Sequence, residues 1–271
     1  MELSVWSSYY VDLSPEDAVL EFEKHGIYYS ELSDEHAAVL LSRGDPKEVG
    51  RRFREYADAH GVKFTQGHLW LRCRLCGPER EKTISTLKDW LDLFYFAGVK
   101  NAVLHCDGYS FAEDTPDEEK YRANIEAIKE LTGYIKGKDL TICLENLRLF
   151  VFTADELLYV VEEVGGENIG ICLDTGHLNL VGGDQVEFIR KAGKYLKALH
   201  IADNDGTSDQ HMMPYGRGNI DFLVVMRALK EIGYGGLFNL EIPGERHCPV
   251  EIRGYKLEYI KKMYDYLYNN A

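Results

Sequence analysis

The sequence predicts a closed (β/α)8 TIM barrel of the α/β class, formed as a single domain over residues 1–271. Three observations point there. Eight short runs rich in apolar, β-branched or aromatic residues recur along the chain, as buried parallel strands require. Helical patterns lie between them, and no linker, low-complexity tract or short-period repeat breaks the alternation. The size also fits, because one such barrel takes about 250 residues and 45% of this chain is hydrophobic, enough for a large core. An open doubly wound sheet is the competing arrangement. It usually carries a glycine-rich phosphate loop after the first strand, and SSYYVDLSP contains no glycine.

The elements follow in order. LSVWSSYY (3–10) is the first strand run. SPEDAVLEFEKHG (14–26) is a helix with Ser14 as cap, Pro15 in the first turn, early acids and a closing glycine. GIYYSEL (26–32) returns to strand, and DPKEVGRRFREYADAHG (45–61) repeats the helix design. VKFTQGHLW (62–70) and KNAVLHC (100–106) are strands three and four. TPDEEKYRANIEAIKELTGYIKG (115–137) is the helix before LTICLEN (140–146), and TADELLYVVEEVGG (153–166) the helix before IGICLDTGH (169–177). LKALHIA (196–202), IDFLVVMRALKEIGY (220–234), GLFNLEI (236–242) and VEIRGYKLEYIKKMYDYLYNN (250–270) complete the pattern.

In such a barrel the functional residues sit where the strands end. Strand three ends at His68, with Trp70 beyond it. Strand four ends at His105, strand five at Glu145, strand six at Asp174 with His177 three residues on, strand seven at His200, and strand eight at Glu241. Taken singly, each has an ordinary explanation as a helix cap or a hydrogen-bonded structural residue. Together they are harder to explain so, because clustered carboxylates repel one another. A divalent cation holds such a cluster ionised, and carboxylate with imidazole suits manganese or zinc, with magnesium also possible. The stretch HIADNDGTSDQH (200–211) adds Asp209 and His211 on a loop long enough to fold back over the same rim.

Composition narrows the partners. The net charge of −14 counts against nucleic acid, whose binders usually present a basic face. No apolar stretch reaches membrane-spanning length, and MELSVWSSYY reads as a strand and not as a leader, so a cytoplasmic protein is expected. Cys106, Cys143 and Cys172 lie in apolar runs as small buried hydrophobes; Cys73 and Cys76 form a lone CxxC without the second pair of a structural zinc site. No disulfide is expected. The aromatic tail YIKKMYDYLYNN reads first as packing and leaves a homo-oligomer open.

The motifs LENL (144–147), LDTGH (173–177), LHIADNDGTSDQH…GRGNIDF (199–222) and LEI (240–242) resemble those of the xylose isomerase-like TIM barrels. That superfamily contains sugar isomerases and epimerases, with endonuclease IV as a sister branch. The resemblance covers essentially the whole chain. It implies a divalent metal held by Glu145, Asp174, His200 and Glu241, with Glu145 and Glu241 also moving a proton through an enediolate of a sugar, sugar acid or sugar phosphate. It further implies substrate contacts from His177, and the rim position suggests the same for His68, His105, Trp70 and either Trp6 or Tyr9. Arg217 stands where the superfamily often has an acidic or small residue, which points to an anionic substrate. The competing resemblance is to the endonuclease IV branch, a tri-zinc phosphodiesterase. His68, His105, His177, Asp209 and His211 would then complete second and third metal sites beside the first four ligands. The acidic charge of the chain favours the isomerase or epimerase.

Overall fold

The computed structural model describes residues 1–271. Eight parallel strands form the barrel: β1 (Glu2–Trp6), β2 (Tyr29–Leu32), β3 (Lys63–His68), β4 (Asn101–His105), β5 (Thr141–Glu145), β6 (Ile169–Asp174), β7 (Leu196–His200) and β8 (Leu237–Leu240). Their order is β7-β6-β5-β4-β3-β2-β1-β8. The seam between β7 and β8 closes through Ile201, whose N–H donates to Asn239 O at 2.8 Å and whose carbonyl accepts from Glu241 N–H at 3.1 Å.

Ten α-helices surround the strands: α1 (Pro15–Lys24), α2 (Asp34–Leu41), α3 (Pro46–Ala59), α4 (Arg80–Ala97), α5 (Asp117–Tyr134), α6 (Ala154–Val164), α7 (Thr175–Leu180), α8 (Gln185–Ala192), α9 (Phe222–Glu231) and α10 (Val250–Asn270). Their starts are written in the sequence. Ser14 accepts from Asp17 N–H, Asp45 from Lys47 and Glu48, and Thr153 forms a capping box with Glu156. The last helix divides by spacing. Leu257, Ile260, Met263 and Leu267 face the core, while Tyr255, Tyr259, Tyr266 and Tyr268 are exposed. No helix is long and apolar enough to cross a membrane.

Two boundaries differ from the sequence expectation. SSYY is not the end of the first strand but a 3-10 turn, Ser7–Tyr10. The chain bends there because Ser7 Oγ accepts Ser33 N–H at 2.9 Å, and because Tyr9 tucks beneath α10, donating its hydroxyl to Arg253 O at 2.8 Å. Thr175, Gly176 and His177 do not extend β6 but open the short helix α7. The six cysteines are all free.

Candidate active site

The last residues of β3 to β7 are His68, His105, Glu145, Asp174 and His200, and Glu241 follows β8 by one residue. Strand alternation turns all six toward the barrel axis, because the residues two places earlier also face inward. Glu145, Asp174, His200 and Glu241 each offer one ligand atom, all within 4.8 Å of one another. His200 Nδ1 lies 3.2 Å from Glu145 Oε2 and 3.4 Å from Glu241 Oε2. Two further groups meet the same 4.8 Å criterion: His68 with Glu145 and His200, and His177 with Asp209 and His211.

Backbone geometry sets each group. Asp174 caps α7, its Oδ1 accepting His177 N–H at 2.6 Å, which leaves Oδ2 to face the centre. Asn146 locks that turn by donating to Asp174 O and accepting from Asp174 N–H, at 3.0 and 2.7 Å. His177 then stands with Nδ1 3.0 Å from Glu145 Oε1 and Nε2 3.2 Å from Asp209 Oδ2. Asp209 and His211 arrive by a turn-back of the loop, where Asp203 and Met212 exchange both backbone hydrogen bonds. Gly218 permits it, since a Cβ there would meet the Asp203 carboxyl at 2.0 Å. His211 pays with a left-handed φ of 43°, a strain associated with functional sites. Its Nε2 reaches Asp209 Oδ2 at 3.2 Å and its Nδ1 reaches Glu241 O at 2.8 Å.

The carboxyls and imidazoles of the cluster shift one another strongly. Burial opposes ionisation of Glu145, yet His200 and His105 beside it hold its carboxyl well below the usual range. Burial pushes Glu241 up to about 7 against the pull of His200 and His211. Burial alone would lower His68 and His211, but hydrogen bonding to Glu145 lifts His68 to about 9, and the Glu241 charge with Asp209 lifts His211 to about 10. His177 and His200 rise well above the ordinary imidazole value against the same desolvation. His105 alone stays low, because burial wins there.

The donor set fits a divalent cation. Asp174 Oδ2, His200 Nδ1 and Glu241 Oε2 are buried without a hydrogen-bond partner, a costly state for polar atoms unless something binds them. All three point into the four-residue group of carboxylate oxygens and imidazole nitrogen that zinc or manganese accepts.

The pocket above this group encloses about 510 Å³ and is lined by Trp6, Asp34, His68, Leu71, Arg72, Arg74, His105, Tyr109, Glu145, Leu147, His177, Asp209, His211 and Glu241. Asp174 and His200 lie beneath it, fully buried. Trp6 lines it and Tyr9 does not. Trp70 is half-buried against the core, and Arg217 is exposed; neither lines the pocket.

Sequence reasoning passed over Glu31, Asn239, Ser4 and Asp34, and it gave the rim arginines of the 61–80 segment no role at the site. Glu31 on β2 is fully buried and holds His200 Nε2 with Oε1 at 3.0 Å. Asn239 donates to its other oxygen, and Ser4 Oγ donates to Asn239 Oδ1 at 2.7 Å. With Nε2–H engaged by Glu31, the nitrogen of His200 that would give up its proton to a cation is Nδ1, facing the centre. The signal was an acid inside the strand run GIYYSEL. Asp34 follows β2, and burial lifts its carboxyl to about 6. Arg72 and Arg74 lie on the loop after β3.

The chain matches the family model described as Xylose isomerase-like TIM barrel over residues 20–265. An uncharacterized protein of Methanocaldococcus jannaschii is 34% identical over 124 residues, covering 44% of this chain and 42% of that protein. The chain thus spans less than half of that relative. A D-psicose 3-epimerase of Ruminiclostridium cellulolyticum is 26% identical over 257 residues, covering 80% of this chain and 83% of that protein. Among solved structures, a D-psicose 3-epimerase with D-tagatose from Clostridium cellulolyticum superposes with a TM-score of 0.83 at 19% identity, over 99% of both chains. The chain belongs to the xylose isomerase-like TIM barrel family.

Proposed function

We propose that this chain is a divalent-metal-dependent sugar epimerase or isomerase. One observation carries the reading: buried, unpartnered oxygen and nitrogen atoms of Asp174, His200 and Glu241 converge with Glu145 beneath an open pocket of sugar size. The relatives named as 3-epimerases support the substrate class. Glu145, Asp174, His200 and Glu241 hold the ion, manganese or zinc by donor type, which when bound polarises a carbonyl and stabilises negative charge developing beside it.

The chain's own residues do the rest. Glu145 and Glu241 come from β5 and β8, with β6 and β7 between them, so a sugar carbon lying across the mouth meets a carboxylate on each side. One takes the proton from a carbon next to the carbonyl and the other returns one. Return to the opposite face of the same carbon inverts it; return to the neighbouring carbon moves the carbonyl. The different surroundings of the two carboxyls suit them to opposite halves of that transfer. His68, His105 and His177 ring the same space and supply hydrogen bonds to hydroxyl groups. Incubating metal-loaded protein with a ketose panel in deuterium oxide tests this. The proposal expects one carbon-bound deuterium in a substrate, and uptake into no sugar would defeat it.

A second reading has one observation in its favour. Eight of the nine residues such a three-metal arrangement would use fall in three groups, each within 4.8 Å and two of them sharing Glu145 and His200, and the ninth, His105, has its Nε2 3.0 Å from Glu145 Oε2. A tri-zinc phosphodiesterase would nick a duplex containing an abasic site. The charge of −14 weighs against such a partner.

A further inference from the structure

The pocket is acidic at its floor and basic at its lip. Arg72 and Arg74 line its mouth, both exposed, and neither has a carboxylate within ion-pair distance. Arg43, Arg54, Arg80, Arg190 and Arg253 pair with acids and the other arginines do not, so what sets Arg72 and Arg74 apart is their place on the wall of this pocket. In a chain whose acids outnumber its basic residues 45 to 31, two unpaired guanidinium groups on one pocket wall give that wall a local positive charge.

The loop that carries them is built, not loose. Cys73 and Leu75, alternating with the arginines, are buried. Cys76 N–H donates to Asp107 Oδ2 at 2.9 Å, and Asp107 also accepts from the N–H groups of Tyr109 and Ser110 at 3.0 Å each. Asp107 thereby ties the loop after β3 to the loop after β4. Across that tie, the Arg74 guanidinium stacks over the Tyr109 ring at 4.5 Å. Stacking occupies the face of a guanidinium and leaves its N–H edge free, which is the edge that grips a planar carboxylate or a phosphate.

We infer that Arg72 and Arg74 form an anion subsite, and that the substrate is a sugar carrying a phosphate or carboxylate at the end remote from the reacting carbon. This rests on the proton-transfer reading only for the identity of the rest of the molecule. The anionic group anticipated at Arg217 is thus served from the loop after β3.

Calorimetric titration of metal-loaded protein tests the inference without requiring turnover. The ligands are D-fructose, D-fructose 6-phosphate, D-fructuronate, inorganic phosphate and a duplex with an abasic site, against wild type and the R72Q/R74Q double variant. Both residues are exposed, so the variant keeps the fold. The expected result is about tenfold or greater preference for one anionic sugar over D-fructose, a ratio that falls toward one in the variant. Which anionic sugar gains tells phosphate from carboxylate. Equal affinity for neutral and anionic sugars, a preference that survives R72Q/R74Q, or binding of the duplex alone would each overturn it. Preference without deuterium uptake would sustain the anion subsite and sink the epimerase reading instead.

Discussion

Two neighbouring layers of one barrel differ completely in chemistry. At the mouth, β4 to β7 present His105, Glu145, Asp174 and His200. Two residues earlier on the same strands, facing the same axis, stand Val103, Cys143, Cys172 and Ala198, an apolar cluster with no exposure. The lower layer is what an ordinary barrel core looks like. It shows that the strands pack well without ionisable residues, so the mouth layer answers to something other than folding. The apolar floor also makes that mouth a low-dielectric site, where charge is expensive to leave uncompensated and effective when placed. A third arrangement sharpens the contrast. Arg253, 1% exposed, is matched by Asp12 with two hydrogen bonds of 2.6 and 2.8 Å. There the chain supplies both charges itself. At the mouth it supplies carboxylates, imidazoles and unpartnered atoms.

The largest effect that tests the contrast is on chemistry. Glu145→Gln and Glu241→Gln should each lower deuterium exchange by about 10²–10⁴-fold, the range for loss of a general base. A variant that keeps full exchange removes that residue from the proposed pair. Next comes the support under the mouth. Glu31→Ala should weaken divalent-metal binding by about 10–100-fold, since His200 loses the partner that fixes its tautomer. Glu31→Gln should keep most of the affinity, because its amide oxygen still accepts from Nε2–H. Titration calorimetry with zinc reads both, and unchanged affinity in Glu31→Ala would show that His200 orients itself.

The lower layer should behave oppositely. Val103→Thr buries a hydroxyl without a partner and should cost about 1–3 kcal/mol in urea unfolding, with metal affinity unaltered. If it instead weakens metal binding while stability holds, the two layers are not separable. The smallest effect concerns Asp12. Its hydrogen bond to Arg253 holds its carboxyl below the ordinary value, with burial opposing. A depressed folded-state value contributes stability above about pH 4 and loses it as pH falls through the folded value. Asp12→Asn should therefore destabilise by about 1–2 kcal/mol near neutrality. The gap to wild type should close in acid; a gap that stays constant with pH would mean the pair contributes only through packing.

Much of this was legible because period-two alternation and strand length carry most of the information in a parallel barrel. The ends of β3 to β8 are marked by apolar runs that stop at an ionisable residue, and reading them gave the mouth layer. Glu31 escaped that reading although it lies near the end of a run. β2 ends at Leu32, so Glu31 stands one residue inside the strand, where a reading of terminal residues alone does not reach. SSYY looked like strand because tyrosine suits one, and only the packing of Tyr9 against α10 makes it a turn. The arginines of the 61–80 segment were legible as basic residues near the rim, but not the place of Arg72 and Arg74 on the pocket wall. Their position depends on Asp107 joining two loops, a contact between residues 31 apart in the chain. Arg217 drew attention by sequence context, but the Asp203–Met212 pairing leaves it outside the pocket.

The difference between the layers stands or falls with the ion. Anomalous diffraction from crystals of the purified protein, soaked in zinc or manganese, measures it directly. The account predicts a full-occupancy peak at about 2.0–2.3 Å from Glu145, Asp174, His200 and Glu241. A map with no peak among those four residues would contradict it.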